Sequence, residues 1–363
     1  VSEPPFVPGL ELAKSFYREA VRPLLDEELE HSAALIGQGS EVLGFDTEMS
    51  RDHHWGPRML LFLKADDLRD QWPTIRRVLG ERLPSHHRGY PTNYTPPDPL
   101  DHGTQLMESK ASGPINHRVE AFTIDGFFER YLGIEAGDEI STREWLTIPQ
   151  QRLGGATAGE VFHDDLGLRA WRERLRWYPH DVWLYLLACG WRRIAQEEHL
   201  MGRAGYVGDE MGSALIGARL VRDIMRLAFL MEKRYAPYAK WFGTAFRSLA
   251  AAKLLEEPLT RALRARSWRG RERALCAAYG TLAAMHNALG VTKALSEAPR
   301  YFFGRPFKVI GGDRFVEAIL ERIVDPSVKK LELRRIGSID LFSDSTDLLD
   351  NPRLGPTLAA LYD

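Results

Sequence analysis

Apolar positions along the first 150 residues change period several times, and each change marks an element. Leu10, Ala13, Phe16, Tyr17 and Ala20 recur at three- and four-residue spacings. That period predicts an amphipathic helix from Leu10 towards Leu29, with Pro23 placed to kink or break it. Short continuous apolar runs at Ala33–Ile36 and Met59–Leu63 predict two strands, and the alternation in Arg118–Ile124 predicts a third. Between them, Leu68, Trp72, Ile75 and Leu79 share one face of a predicted helix over 65–79, which Pro73 argues against being uninterrupted. Residues 84–114 have no period and are rich in Pro, Gly, Asn and Asp, the texture of a long loop, in which His86 and His87 are expected to be solvated. Phe127–Leu132 reads as a helix closed by Gly133 and Gly137, and Thr142–Trp145 as one further turn.

From about Pro149 the texture becomes helical. Segments at 168–177, 182–199, 213–233, 240–255, 259–265 and 271–288 are separated by Gly, Pro or charged breaks. Phe302–Ile310 reads as an extended crossing, Arg314–Ile323 as a short helix, and the tail from Lys330 is weakly patterned. The expectation is an α+β protein: a mixed α/β domain over residues 1–148 and a helical domain with a C-terminal tail over 149–363.

Composition narrows the function. Forty-eight basic and 50 acidic residues leave a net charge of -2 in 363 residues, which gives no global attraction to long nucleic acid or to a membrane surface. Cys189 and Cys276 lie in apolar helical stretches and form neither a zinc pattern nor a disulfide framework, which fits a reducing cytoplasm and buried, inert thiols. The N-terminal stretch lacks a basic segment followed by an apolar one, so no secretory signal is expected there. No run reaches the ~18 apolar residues of a membrane span.

The stretch LIGQGSEVLGFDTEMSRDHHWGPRMLLFL, residues 35–63, carries the chemistry. It reads as a strand, a Gly39-Ser40 turn, a short helix or loop, and then Asp52 entering a second strand. A small turn lets a polyphosphate approach backbone N–H groups. A neighbouring carboxylate can hold the metal that accompanies it.

This pattern resembles the signature of the nucleotidyltransferase superfamily, which includes the kanamycin-type antibiotic nucleotidyltransferases. That signature is an apolar strand, Gly-Ser, a gap of about ten residues, and Asp-x-Asp on a strand. Gly39, Ser40 and Asp52 match it, and His54 stands where the second acid is expected. More narrowly, GSEVLGFDTEMSRDHHWGPR is similar to a bacterial family of unknown-function nucleotidyltransferase-like proteins, whose pattern His53 also matches.

The resemblance implies that two acids at i and i+2 of one strand face the same way, with a third from a neighbouring strand. Asp52 would be the first and Glu120, in RVEAFTI, the third; both would hold metal, and Gly39 and Ser40 would hold the triphosphate. Imidazole at His54 removes one negative charge and offers nitrogen, which suits Mn, Zn or Fe better than Mg. Three consequences stay open: a site with one well-held metal, a preference for Mn, or loss of transfer activity. Asp46 or Glu48 could compensate if their loop folds inward.

The helical half adds a second cluster. Arg219, Arg222 and Arg226 share a face of an apolar helix and need partners, either a triphosphate or acids such as Asp209, Asp223 and Glu232. Tyr235, Tyr238, Lys240 and Trp241 form an aromatic-basic knot similar to one in the narrower family. There Tyr238 could stack on a base or ribose and Lys240 contact phosphate, or the aromatics could be core and Lys240 a surface lysine. His163-Asp164-Asp165 has metal-ligand residue types at an expected helix entrance, where acids favour the dipole. Gly337-Ser338 lacks a following Asp-x-Asp strand, and Gly154-Gly155 lacks the Gly-Lys-Ser/Thr of a P-loop.

The expected function is transfer of a nucleoside monophosphate from an NTP, ATP first among them, to a hydroxyl of a small-molecule acceptor, with Mg2+ or Mn2+ and release of pyrophosphate. In this expectation the cleft lies between the domains, with Arg219, Tyr238 and Lys240 closing on the nucleotide. The competing expectation is a catalytically degenerate nucleotide-binding or partner-binding protein on the same fold. A third is an accessory protein acting on a protein partner through the helical domain. A general base is not identified; Glu210 and Asp164 are candidates of the right type.

Overall fold

A computed structural model of the protein describes residues 4–52, 54–101, 103–134 and 139–363, with the side chain of Asp52 outside the description. His53 and Gly137 therefore lie outside the described residues. The chain divides into two compact units, Val1–Glu139 with Arg152–Arg176, and Ile140–Gln151 with Trp177–Asp363. The division is not the single cut at 148/149 that the change of texture suggests: twelve residues go over to the second unit and the chain then returns to complete the first.

The first unit is built on a four-stranded mixed sheet. Its strands are β1 (Ser32–Leu35), β2 (Arg58–Phe62), β5 (Arg118–Phe122) and β6 (Glu160–Asp164), in the order β5-β2-β1-β6. β1 runs antiparallel to both neighbours, and β2 and β5 are parallel, with Leu60 opposite Glu120 and Arg58 opposite Arg118. Side chains alternate between faces along a strand. Ala33, Met59, Leu61 and Val119 point into a core with Phe16, Tyr17, Val21, Leu79 and Leu83. Arg58, Leu60, Arg118 and Glu120 point to the other face by the same alternation.

Helix α1 (Gly9–Phe16) runs on through a π turn and a 3-10 turn that ends at Leu24, so Pro23 closes the helix rather than kinking a longer one. Around Pro73 the expected single helix divides into α2 (Ala65–Asp70) and α3 (Trp72–Arg82), with the proline in the first turn, where it displaces no hydrogen bond. The 84–114 segment is more ordered than its composition suggests. It holds the short strands β3 (His86–His87) and β4 (Tyr90–Pro91) and buries Tyr90 and Tyr94. His87 is buried too, hydrogen bonded to Ser15 Oγ at 2.8 Å, so only His86 meets the expectation of solvation. After β5, Thr123 caps α4 (Ile124–Leu132), and Gly133 ends it in the left-handed region.

β6 lies inside sequence expected to be purely helical. It follows α6 (Gln150–Thr157), itself preceded by α5 (Thr142–Thr147). In α6 a Cβ on Gly155 would sit 2.4 Å from Gly37 O, and Gly37 N–H donates to Gly155 O at 2.9 Å. Gly154-Gly155 thus lets α6 press against the segment that leads from β1 to Gly39. α7 (Leu168–Glu173) completes this unit.

The second unit is helical: α8 (His180–Tyr206), α9 (Glu210–Met231), α10 (Ala239–Arg247), α11 (Ala252–Arg264), α12 (Trp268–Ala288) and α13 (Asp313–Leu320), with the short hairpin β7 (Arg300–Tyr301) and β8 (Lys308–Val309). α8 is buried along most of its length, and Trp191 stacks on Phe315 with ring centroids 4.0 Å apart. The Glu198 carboxylate accepts from the backbone amides of Ile310, Gly311 and Gly312 and so ties α8 to the approach to α13. Burial pushes its pKa up to about 7 against the pull of those amides. Cys189 is buried and Cys276 half-buried, and burial pushes both thiols up to about 12, which keeps them protonated and inert. Among the described residues no helix is long and apolar enough to cross a membrane.

Candidate functional site

The Gly39-Ser40 turn follows β1 after Ile36, Gly37 and Gln38. Gly39 has φ +137°, and a Cβ there would lie 2.6 Å from Arg58 Nη2. Only glycine fits such a corner. Arg58, the first residue of β2, reaches back under the turn. Its Nε donates to Glu41 Oε1 at 2.9 Å and its Nη2 to the Gln38 carbonyl at 2.7 Å. Burial pulls the Arg58 guanidinium down, but the adjacent Glu41 carboxylate outweighs it and leaves the pKa above the ordinary arginine value. Ser40 O and Glu41 O accept from Phe45 and Gly44 N–H, closing a tight turn. Glu41 and Val42, which follow, are both buried.

Asp52 and His54 do not share a strand. Asp52 ends a 3-10 turn (Glu48–Asp52), His54 has φ +54°, and β2 starts only at Arg58, after Gly56-Pro57. Proline has no N–H to give a ladder, so β2 cannot begin earlier, and the i, i+2 same-face rule does not apply to this pair.

What gathers the site is Arg118, at the start of β5. Its Nη1 donates to His54 Nδ1 at 2.6 Å and to Gln105 Oε1 at 2.9 Å, and its Nη2 to Glu120 Oε1 at 2.9 Å. One guanidinium therefore holds His54 and Glu120 together. It also makes Nδ1 the acceptor of the imidazole. Burial lowers the Arg118 pKa, Glu120 opposes that, and Arg58 across the strand pair adds to it. Like charges directly opposite on neighbouring strands repel. Each of these arginines is accordingly held by its own carboxylate, Glu41 and Glu120. Tyr94 packs beside both, and burial raises its hydroxyl pKa well above the ordinary range.

The compensating acids behave differently. Asp46 Oδ2 accepts from Gly9 N–H at 2.7 Å and from Trp55 Nε1 at 3.0 Å, which anchors α1 and a buried tryptophan. Glu48 is exposed. Asp164 lies on β6, not at a helix entrance, yet its carboxylate accepts from Ser32 Oγ and from the Leu168 and Arg169 amides that begin α7. Burial raises its pKa, those hydrogen bonds outweigh burial, and the net shift is downward, opposite to what a general base needs. Among the described residues, His31, His163 and Asp165 place ligand-type atoms within 4.8 Å of one another. Their hydrogen bonds are internal: His163 Nε2 to Asp165 at 2.7 Å, and His31 to Tyr17 Oη and the Leu29 carbonyl, both at 2.8 Å.

The remaining candidates belong to the second unit. Arg219 is ion-paired to Glu197. Tyr238 occupies the N-cap position of α10. Lys240 is exposed, with Nζ 5.1 Å from the Trp241 ring centroid. Glu210 accepts from Trp268 N–H at 3.0 Å. Asp209 caps α9, and Glu232 receives the Ala250 and Ala251 amides, so neither pairs with the arginines as expected.

Arg58 and Arg118 escaped the sequence reading. Their signal is a shared pattern: RMLLF and RVEAF each open with arginine before an apolar strand, and the two strands pair in register.

Known proteins add little to this geometry. A family described as a domain of unknown function, DUF4037, matches residues 145–242. No curated protein matches the chain. A solved structure of a nucleotidyltransferase-like protein from Exiguobacterium sibiricum is 10% identical over 77% of each chain, with a TM-score of 0.32. That degree of likeness is too small to transfer a site.

Proposed function

We propose that the first unit binds a nucleoside triphosphate at the Gly39-Ser40 turn and transfers its nucleoside monophosphate to a hydroxyl of a small-molecule acceptor, with pyrophosphate leaving. The observation that carries this is the turn itself. It follows β1 after three residues, turns at a glycine with φ +137°, and is braced by the Arg58 guanidinium through the Gln38 carbonyl and Glu41. A glycine turn of this kind lets an anion approach the backbone N–H groups.

The donor set fits a divalent ion in part. Glu120 has a half-exposed carboxylate with one oxygen on Arg118, and its second oxygen is a hard ligand of the right kind. His54 does not fit in this arrangement, because Nδ1 already accepts from Arg118. The proposal therefore rests on a single cation held by Glu120 and Asp52, Mg2+ or Mn2+, which when bound would neutralise charge on the phosphates. In this proposal Arg58 and Arg118, each paired with one carboxylate, would lend their remaining donors to the phosphates.

A second reading has its own observation. The guanidinium joining His54 to Glu120 sits where a second cation would be needed, which favours a nucleotide-binding protein that has lost transfer. The test is calorimetric titration of the four common NTPs, with Mg2+ and then Mn2+, into wild type and Asp52→Ala. Metal-dependent binding of one NTP, abolished in Asp52→Ala, is the expected result. Absence of binding under all these conditions overturns both readings. His54→Asp then separates them: reduced transfer supports the active site, and newly gained Mg2+-dependent transfer supports the degenerate one.

A further inference from the structure

The second unit contains a cavity of about 760 Å3 whose wall is dominated by one residue type. Arg192 and Arg193 come from α8, Arg219, Arg222 and Arg226 from α9, and Arg334 and Arg335 from the tail, whereas the acidic residue in the lining is Asp344. We propose that this cavity is a binding site for a small polyanion carrying two or more phosphate groups, separate from the Gly39-Ser40 turn.

Charge pairing alone does not account for the arrangement. Arg192, Arg219 and Arg335 have carboxylates outside the lining, Asp313, Glu197 and Glu317. Arg222 Nη1 meets Asp344 at 2.7 Å, and Asp344 is largely exposed. Arg193 Nη1 donates to Gln196 Oε1 at 3.2 Å, and its Nη2 is 3.6 Å from Glu197 and 3.8 Å from Asp223. Arg334 bonds a backbone carbonyl, that of Leu361. Arg226 is largely buried and is attracted by the carboxylates of Asp340, Asp223 and Asp344 without a direct ion pair to any of them among the described residues.

The packing around the cavity leaves polar atoms unpaired. The Nε atoms of Arg193 and Arg222, and the acceptors Glu197 Oε2 and Asp223 Oδ2, are buried with no hydrogen-bond partner. A buried unpaired donor is costly, and a charged one more so. Behind the wall, burial raises the carboxyl pKa of Asp223 and of Asp340 despite the nearby arginines. Guanidinium forks match phosphate oxygens bidentately, and several converging from three segments favour a ligand with several phosphates over a single one. The volume lies in the range of small-molecule sites.

The test is calorimetric titration of sodium tripolyphosphate, pyrophosphate and inorganic phosphate into the full chain without divalent metal, in wild type, Arg226→Gln and Arg334→Gln. Tripolyphosphate should bind most tightly and inorganic phosphate least, and each arginine variant should weaken binding about tenfold, as loss of a charge-assisted hydrogen bond predicts. Raised salt should weaken binding further. Arg334 is exposed, so Arg334→Gln keeps the test alive if Arg226→Gln fails to fold. No tripolyphosphate binding by wild type, or binding unchanged in both arginine variants, overturns the proposal. Metal-dependent NTP binding with no tripolyphosphate binding leaves the proposed nucleotide site standing alone.

Discussion

The two units bury arginine in opposite ways. In the first, Arg58 and Arg118 face each other across a strand pair, and each is closed off by one carboxylate, Glu41 or Glu120. In the second, seven arginines share a cavity with buried atoms left over on both sides of the charge balance: Arg193 Nε and Arg222 Nε as donors, Glu197 Oε2 and Asp223 Oδ2 as acceptors. A closed pair is a structural brace, and removing half of it exposes the full cost of burying the other half. An unfinished network has less to lose and leaves bonding capacity for something else.

The largest expected effect comes from breaking a brace. Glu41→Ala leaves the Arg58 guanidinium buried and alone beneath the Gly39-Ser40 turn and should cost about 3–5 kcal/mol, read from the urea midpoint. A loss below about 1 kcal/mol would place the pair among surface ion pairs and erase the contrast.

Acid sharpens the comparison from the other side. His286 is fully buried in the second unit, accepts from Trp191 Nε1 at Nδ1, and lies 3.0 Å from Thr292 Oγ1 through Nε2. Thr292 donates its own proton to the Lys293 carbonyl, so Nε2 carries the imidazole hydrogen and the ring is neutral. Burial lowers the His286 pKa from 6.5 to about 4. Between those values the unfolded chain binds more protons than the folded one. Stability is therefore complete above pH 6.5 and is lost as pH falls through about 4, by about 3 kcal/mol in all. Trp191, against His286, makes tryptophan fluorescence the readout, and His286→Gln should flatten the pH dependence.

The smallest effect belongs to Arg219→Ala. Its side chain is 51% exposed and its partner Glu197 has other arginines nearby, so the loss should stay within about 1 kcal/mol in a thermal melt. A cost as large as that of Glu41→Ala would make the second network a brace as well.

Much of the fold was legible because period is a strong signal. β1, β2, β5 and α4 fall where the apolar runs and Gly133 place them. β6 was not, because EVFHD is short and sits between helical stretches, and strand formation there depends on pairing with β1. The turn at Gly39-Ser40 was readable from the Gly-Ser pair that follows an apolar run. The placement of His54 was not, because it depends on a left-handed residue ahead of Gly56-Pro57 and on an arginine 64 positions away. His87 was misread for a similar reason: its partner, Ser15, is 72 residues distant.

The route of the chain between the units has a consequence for how the protein is made. During synthesis the four-stranded sheet cannot be finished when residue 139 emerges, because β6 lies at 160–164 and Arg152–Arg176 still belong to the first unit. Until then β1 has an open edge, with backbone groups unpaired on one side, and an open edge invites pairing with another chain. A ribosome-bound fragment ending near residue 148 is thus an aggregation hazard. One ending just beyond residue 176 holds every residue of the first unit, and only its 140–151 segment belongs with the helices still to come.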